Sequence, residues 1–282
     1  MTLTGKEIVI TGGTDGIGKV AAAALAKAGA HVTIVGRDGA KGEAVVREIK
    51  ALAGHDWVGF VKGDLSAQKG VRGAAAEVNN RLKRIDVLLN NAGAFFQKRE
   101  LSEDGIEKTF ALNHLGYFLL THLLMDRLKS SAAARVVNVA SAAHVGGKLD
   151  LEDLQNAKAY SGWRAYQQSK LSNIYFTYEL ARRLEGSKIT ANCLHPGFVA
   201  TRFGNNNSGP LRAVFGIAKT LFAKTESDGA KTSIHLAGSP DVAKVNGKYF
   251  DNCKDVRSSP VSYDEAIARD LWRISEKMTG LG

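Results

Sequence analysis

The sequence is poor in the features that mark most specialised classes. It has two cysteines in 282 residues, Cys193 and Cys253, which make no disulfide framework. Cys193 lies in an apolar run and reads as a buried thiol. No Cys/His set has structural zinc spacing, and none of the seven histidines forms H-E-x-x-H, so no metal site is expected. No apolar run reaches the ~20 residues of a membrane span, so no integral membrane segment is expected. Residues 1–6 lead straight into the first strand candidate and leave no room for a signal peptide, from which a cytoplasmic location follows by default. Proline is scarce, at four residues, and there is no Pro- or Ser-rich spacer, low-complexity tract or repeat. A single domain over 1–282 is expected, long enough to bury a sizeable core.

Charge excludes less. The formal net charge is +10. Lys and Arg are nonetheless spread along the chain, with no basic run beyond pairs such as Arg182-Arg183. A solvated basic surface is expected rather than a nucleic-acid face, with positive potential available to an anionic cofactor.

What is present is an alternation of apolar runs and helical stretches. Strand candidates are Glu7–Thr11, His31–Gly36, Trp57–Lys62, Ile85–Asn90, Arg135–Ala140, Ile189–His195 and Lys248–Phe250. Helical segments lie near 20–25, 41–53, 67–83, 103–129, 165–185 and 228–237. Nearly continuous apolar strands alternating with helices argue for an α/β, doubly wound, mostly parallel sheet of seven strands. Ligands bind such sheets at the carboxyl ends of the strands.

The first strand runs into Thr11-Gly12-Gly13-Thr14-Asp15-Gly16-Ile17-Gly18. Strand, glycine turn and helix in that order make a pyrophosphate cradle, because glycines permit close approach and the helix start is electropositive. Gly12, Thr14, Asp15, Gly16, Ile17 and Gly18 are its candidate cofactor residues. The second strand ends Gly36-Arg37-Asp38, where an NAD site usually carries an acidic side chain for the ribose 2′-OH. Gly36 leaves room for a 2′-phosphate and Arg37 can grip it, which favours NADP(H). The alternative has Asp38 on the ribose and Arg37 in solvent.

The third strand candidate continues into Gly63-Asp64-Leu65, and Asp64 suits a helix cap near Ser66 better than an adenine contact. The fourth ends Asn90-Asn91-Ala92-Gly93, which suits either a close ligand or an Asn-rich turn. Asn113, within an apolar helix, either holds a water in a proton path or is a satisfied structural amide. Ser141 follows the fifth strand. Tyr166 and Lys170, four apart on a helix, share one face. Bringing a tyrosine from ~10 down by about three units takes ~4 kcal/mol, and a nearby ammonium is a credible source. Such a Tyr exchanges protons with a substrate oxygen.

Taken in order, these motifs resemble the short-chain dehydrogenase/reductase family, over nearly the whole length to about Phe250. The resemblance implies a Rossmann fold and a tetrad of Asn113, Ser141, Tyr166 and Lys170, with Tyr166 as general acid/base. It implies Asp64 and Leu65 at the adenine and Asn91, Ala92 and Gly93 along the cofactor. The segment His195–Thr201 resembles the family's nicotinamide contact, giving Pro196, Gly197, Val199 and Thr201. Gly36-Arg37-Asp38 with Lys41-Gly42, Ser141-Ala142-Ala143-His144 and Leu171-Ser172-Asn173-Ile174 are similar to the retinol dehydrogenase-like and WW-domain-oxidoreductase-like branch. This chain lacks the membrane segment many of those carry.

Residues 203–225 read as an apolar substrate lid, with Leu211, Val214, Phe215, Ala218 and Phe222 on one helical face. The expected activity is NADP(H)-dependent hydride transfer to or from an apolar aldehyde, ketone or alcohol. The alternative is an NADP(H)-binding sensor or scaffold without turnover, against which the presence of Tyr166 and Lys170 argues. A homodimer or homotetramer stays open, because helix 165–185 can pack on a partner or on the sheet. Replacing Arg37 by Asp should remove an NADPH preference of tens of fold, since a charge-assisted bond carries roughly 1.5–3 kcal/mol. Paired NADPH and NADH affinities check this, and an unchanged ratio would remove Arg37 from the role.

Overall fold

The computed structural model describes residues 2–197 and 225–282. Eight strands form one sheet: β1 Glu7–Thr11, β2 His31–Gly36, β3 Val58–Lys62, β4 Val87–Asn90, β5 Ala134–Val139, β6 Ile189–His195, β7 Tyr249–Asp251 and β8 Lys254–Val256. Their spatial order is β3-β2-β1-β4-β5-β6-β7-β8. All neighbours are parallel except β7 and β8. The order reverses between β1 and β4, and that gap is where doubly wound sheets open a ligand crevice.

Both faces of the strands are buried, so alternate residues feed two cores. Ile8 and Ile10 pack under α1 (Gly16–Lys27) and α2 (Gly39–Ala53), with Val32, Ile34 and Leu25. Val9 and Leu88 point to the opposite face, toward α3 (Gln68–Arg81), α5 (Gly116–Leu123) and α7 (Gly162–Arg183). Between them in sequence, α4 (Lys108–Phe110) runs through a π-helical turn, Ala111–Leu115, into α5, and α6 (Met125–Lys129) leads to β5. A further helix, α8 (Glu226–Gly238), joins α1 in the first core.

Two elements go beyond those expected from sequence. The eighth strand, β8, is exposed along its length and carries Lys254 and Asp255, so it has no apolar alternation to reveal it. Its hairpin turn has Asn252 and Cys253 at φ +47° and +63°. Such turns usually announce themselves as Asn-Gly, and a cysteine in the second place hides the signal. The other addition is α9 (Glu265–Thr279), started by Asp264, whose carboxylate accepts from the Ala266 and Ile267 N–H groups. Its buried residues Ala268, Leu271, Trp272, Ser275 and Thr279 recur at helical spacing. Trp272 meets Phe118 edge-on at 5.0 Å, and Arg183 lies over its ring at 4.3 Å. The outer face of α7 is thus covered by the chain's own C-terminal helix.

Asp64 does not cap α3. Its Oδ1 accepts from Ser66 N at 2.9 Å and Ser66 Oγ at 2.7 Å, closing a local turn. Ala67 stands at the N-cap and has no capping side chain, and Asp104 instead accepts from Gln68 N at 2.8 Å. No described helix is long and apolar enough to cross a membrane. Trp272→Ala should lower unfolding free energy by about 3–5 kcal/mol, the usual loss for a buried large aromatic, measured by urea unfolding.

Candidate active site

The site forms where β1, β4 and β5 end. Thr11 closes β1, and its hydroxyl accepts from the backbone N–H groups of Asn91 (2.8 Å) and Ala92 (3.0 Å). Asn91 Nδ2 donates back to Thr11 O at 2.9 Å. Asn91 therefore stitches the end of β4 to the glycine turn. Gly12 and Gly16 adopt φ +67° and +49°, and a Cβ on Gly18 would lie 2.4 Å from Gly12 O, so this turn admits no larger residue at 18. Asp15 caps α1 through Gly16 N, Thr14 touches Gly36, and Ile17 packs on the first core.

Arg37 is exposed and has no hydrogen bond or ion pair among the described residues. Asp38 is engaged as the N-cap of α2, its Oδ1 accepting from Lys41 N at 3.0 Å. Asp64 is exposed and Leu65 is buried in the second core.

Asn113 stands in the π-helical turn and is fully buried. Its Oδ1 accepts from Ala94 N (2.9 Å), and its Nδ2 donates to Ala94 O (3.0 Å) and Ser169 Oγ (3.0 Å). The amide clamps the loop after β4 onto α7. Gly93 is exposed, and a Cβ there would come within 3.3 Å of Asn113 Oδ1 and 3.4 Å of Lys170 Nζ. A side chain there would crowd both groups.

Ser141 follows β5 and starts a 3-10 turn, accepting from Ala143 N at 3.2 Å. Its hydroxyl is bonded to the Tyr166 phenol. Burial pushes Tyr166 up to about 12, and the Ser141 bond opposes this only in part. Lys170 is 4% exposed and donates from Nζ to Val139 O at 3.0 Å. Its ammonium lies 5.7 Å from the Tyr166 ring centroid and 6.0 Å from that of Tyr117. Burial pushes Lys170 down to about 7. Burial therefore dominates, and Tyr166 rests as a neutral phenol.

Pro196 and Gly197 follow β6, with Gly197 at φ +84° and its N–H donating to His195 Nδ1 at 3.0 Å. Val199, Thr201 and residues 203–224 of the expected lid lie outside the described residues. Two aromatic side chains packed on Tyr166 were not singled out from sequence. Trp163 is 48% exposed, three residues before Tyr166, with ring centroids 5.9 Å apart. Phe95 meets Tyr166 edge-on at 6.1 Å. The i, i+3 spacing of Trp163 and Tyr166 was the available signal. No cluster able to hold a metal occurs among the described residues.

Residues 6–210 match the short chain dehydrogenase family, and the chain belongs to it, a family of nicotinamide-dependent oxidoreductases acting on alcohol and carbonyl groups. Within that family it is retinol dehydrogenase-like. Retinol dehydrogenase 14 of Mus musculus is 43% identical over 98% of this chain and 86% of its own length. Among solved structures, an uncharacterized protein from Mycobacterium paratuberculosis is 35% identical, with a TM-score of 0.80 over 99% of this chain and 95% of that one. The Pseudomonas aeruginosa RhlG/NADP active-site complex is 27% identical, with a TM-score of 0.71 over 88% of this chain and 95% of that one.

The buried ammonium has a stability consequence with a definite sign. The folded pKa of Lys170 is depressed, so between about pH 7 and its unfolded value near 10.5 the unfolded chain binds more protons. The penalty is full below pH 7 and is relieved as pH rises. Lys170→Met should therefore be more stable than the parent at pH 6, by on the order of a few kcal/mol, with the gap closing toward pH 10. Denaturant unfolding at the two pH values checks it.

Proposed function

We propose that this protein is an NADP(H)-dependent oxidoreductase that acts on an apolar aldehyde, ketone or alcohol, with Tyr166 as general acid/base. The observation that carries the reading is the Ser141 hydroxyl bonded to the Tyr166 phenol beside the Lys170 ammonium. The residues at the crevice suit a nicotinamide dinucleotide. The glycine turn and the open Gly93 leave backbone close to a ligand, and Lys170 and Asn113 stand directly behind it. Arg37, exposed and unpartnered among the described residues, supports a 2′-phosphate, and the use of Asp38 as a cap removes the carboxylate best placed for a ribose 2′-OH. A relative solved with NADP supports the same choice.

When bound, the cofactor supplies or takes the hydride at the substrate carbon. The protein's part is the proton. Ser141 and Tyr166 hydrogen-bond the substrate oxygen and orient it. A neutral Tyr166 donates its proton as negative charge develops on that oxygen. The charged Lys170 then stabilises the phenolate, and that stabilisation is larger in a buried site than in water. Because burial holds Tyr166 protonated, the resting pair is poised for reduction rather than oxidation, in keeping with a 2′-phosphorylated cofactor. Asn113 positions the loop carrying Gly93 against α7. Trp163 and Phe95 pack on the Tyr166 ring with apolar surface, which supports a lipophilic or ring-bearing substrate, as the retinol dehydrogenase relative's name also does.

Steady-state NADPH oxidation against apolar aldehydes and ketones tests the reading. Tyr166→Phe should lower turnover by roughly 10²–10⁴, the usual share of a general acid. Trp163→Ala should raise KM for apolar carbonyls with kcat little changed. Full activity of Tyr166→Phe would overturn the mechanism.

A further inference from the structure

Ser141 stands just past the end of β5, and the chain there enters a short 3-10 turn, Ala142–Gly146, whose hydrogen bonding is poorer than that of a regular helix. His144, buried within that turn, supplies further support. Its Nδ1 lies 2.7 Å from Ser141 O, and its Nε2 lies 3.0 Å from Ser259 N, 115 positions away in sequence. A backbone N–H can only donate, so Nε2 is the acceptor and the ring proton sits on Nδ1, where it is donated to Ser141 O. The ring makes both bonds as a neutral imidazole. Burial, with His195 nearby, holds it below the usual histidine range.

Ser259 is itself anchored. Its carbonyl accepts from Ser262 Oγ at 2.6 Å. Ser262 Oγ and Ser258 Oγ are 2.7 Å apart, and Ser258 Oγ meets Tyr178 OH at 2.7 Å. Tyr175 OH donates to Val261 O at 2.6 Å. Tyr175 and Tyr178 lie on α7, further along the helix that carries Tyr166. The bonds therefore close a ring that leaves α7 at Tyr178, passes through Ser258, Ser262, Ser259, His144 and Ser141, and returns to α7 at Tyr166.

We propose that His144 is a positioning residue for Ser141. By bridging the Ser141 carbonyl to the Ser259 N–H, it lets the segment ahead of α9 set where the Ser141 hydroxyl stands against Tyr166. His144 acts on the reaction only through Ser141. This rests on the reading above, in which Ser141 and Tyr166 bond the substrate oxygen.

Steady-state kinetics of His144→Phe, His144→Asn, Ser141→Ala and the combined His144→Phe/Ser141→Ala variant test it, with NADPH affinity and melting temperature measured on each. Phe keeps a ring against Tyr249, whose centroid is 5.0 Å from that of His144, and removes both bonds. His144→Phe should lower kcat roughly 10–100-fold, the scale of a small misplacement of a reacting group, and leave NADPH affinity within about twofold. Asn keeps a donor near the place of Nδ1 and loses the Ser259 bond, so His144→Asn should fall between, a few-fold below the parent. It carries the same cycle if the Phe variant does not fold. Ser141→Ala keeps the carbonyl and removes the hydroxyl, which leaves nothing to position. On that background His144→Phe should change kcat by less than about twofold, whereas a merely structural role would multiply the two losses. Full activity of Ser141→Ala overturns the mechanistic reading, and this inference with it. A loss in Ser141→Ala overturns the inference alone if His144→Phe multiplies it by the factor seen in the parent, or leaves the parent's kcat within about twofold.

Discussion

An ammonium held out of water at the end of β5 is the constraint around which the site is built. Burying an isolated charge is expensive, and a lysine near a surface ordinarily extends its stem to reach solvent. Lys170 has no such route, because α7 is buried along most of its length between the sheet and α9. Val139 O and the faces of Tyr166 and Tyr117 are what the protein offers instead. The result is a lysine near neutrality and a tyrosine that resists ionising. A negative charge brought beside Lys170 would make the ammonium favourable.

Such an arrangement requires a rigid frame, and the frame is polar as well as apolar. Asn90 Nδ2 donates to Thr121 Oγ1 (3.0 Å) and Asn138 Oδ1 (2.9 Å), and Asn138 Nδ2 donates to Thr177 Oγ1 (2.9 Å). All four side chains are fully buried, so the ends of β4 and β5 are tied to α5 and α7 by bonds that permit one register. Next to Asn113, His114 is buried and held by Ser275 of α9 at 2.9 Å. Burial pushes its imidazole down to about 3, so it serves as a neutral hydrogen-bonding strut. The C-terminal helix, remote in sequence, therefore braces the turn that carries Asn113.

The sheet was legible because each central strand is apolar on both faces and has turn residues at its ends. Ile8, Val9 and Ile10 illustrate this, feeding two cores in alternation. Where a strand lacks that pattern, as in Lys254–Val256, periodicity has nothing to detect. Asn91 shows a different limit. Its amide bonds Thr11, a residue 80 positions earlier, so this partner was set by strand order. The cap of α3 is the same case, with Asp104 acting from 36 positions away where Asp64 stood nearer in sequence.

Sequence alone determined what depends on neighbours along the chain. It settled the glycine turn, the shared helical face of Tyr166 and Lys170, the β/α alternation and the family. Tertiary structure decided how far Tyr166 and Lys170 are removed from water. The charge of Lys170 is readable from its letter and its spacing. The desolvation of the pair is not, because it sums over everything packed around it, from β5 to a helix that starts almost a hundred residues later.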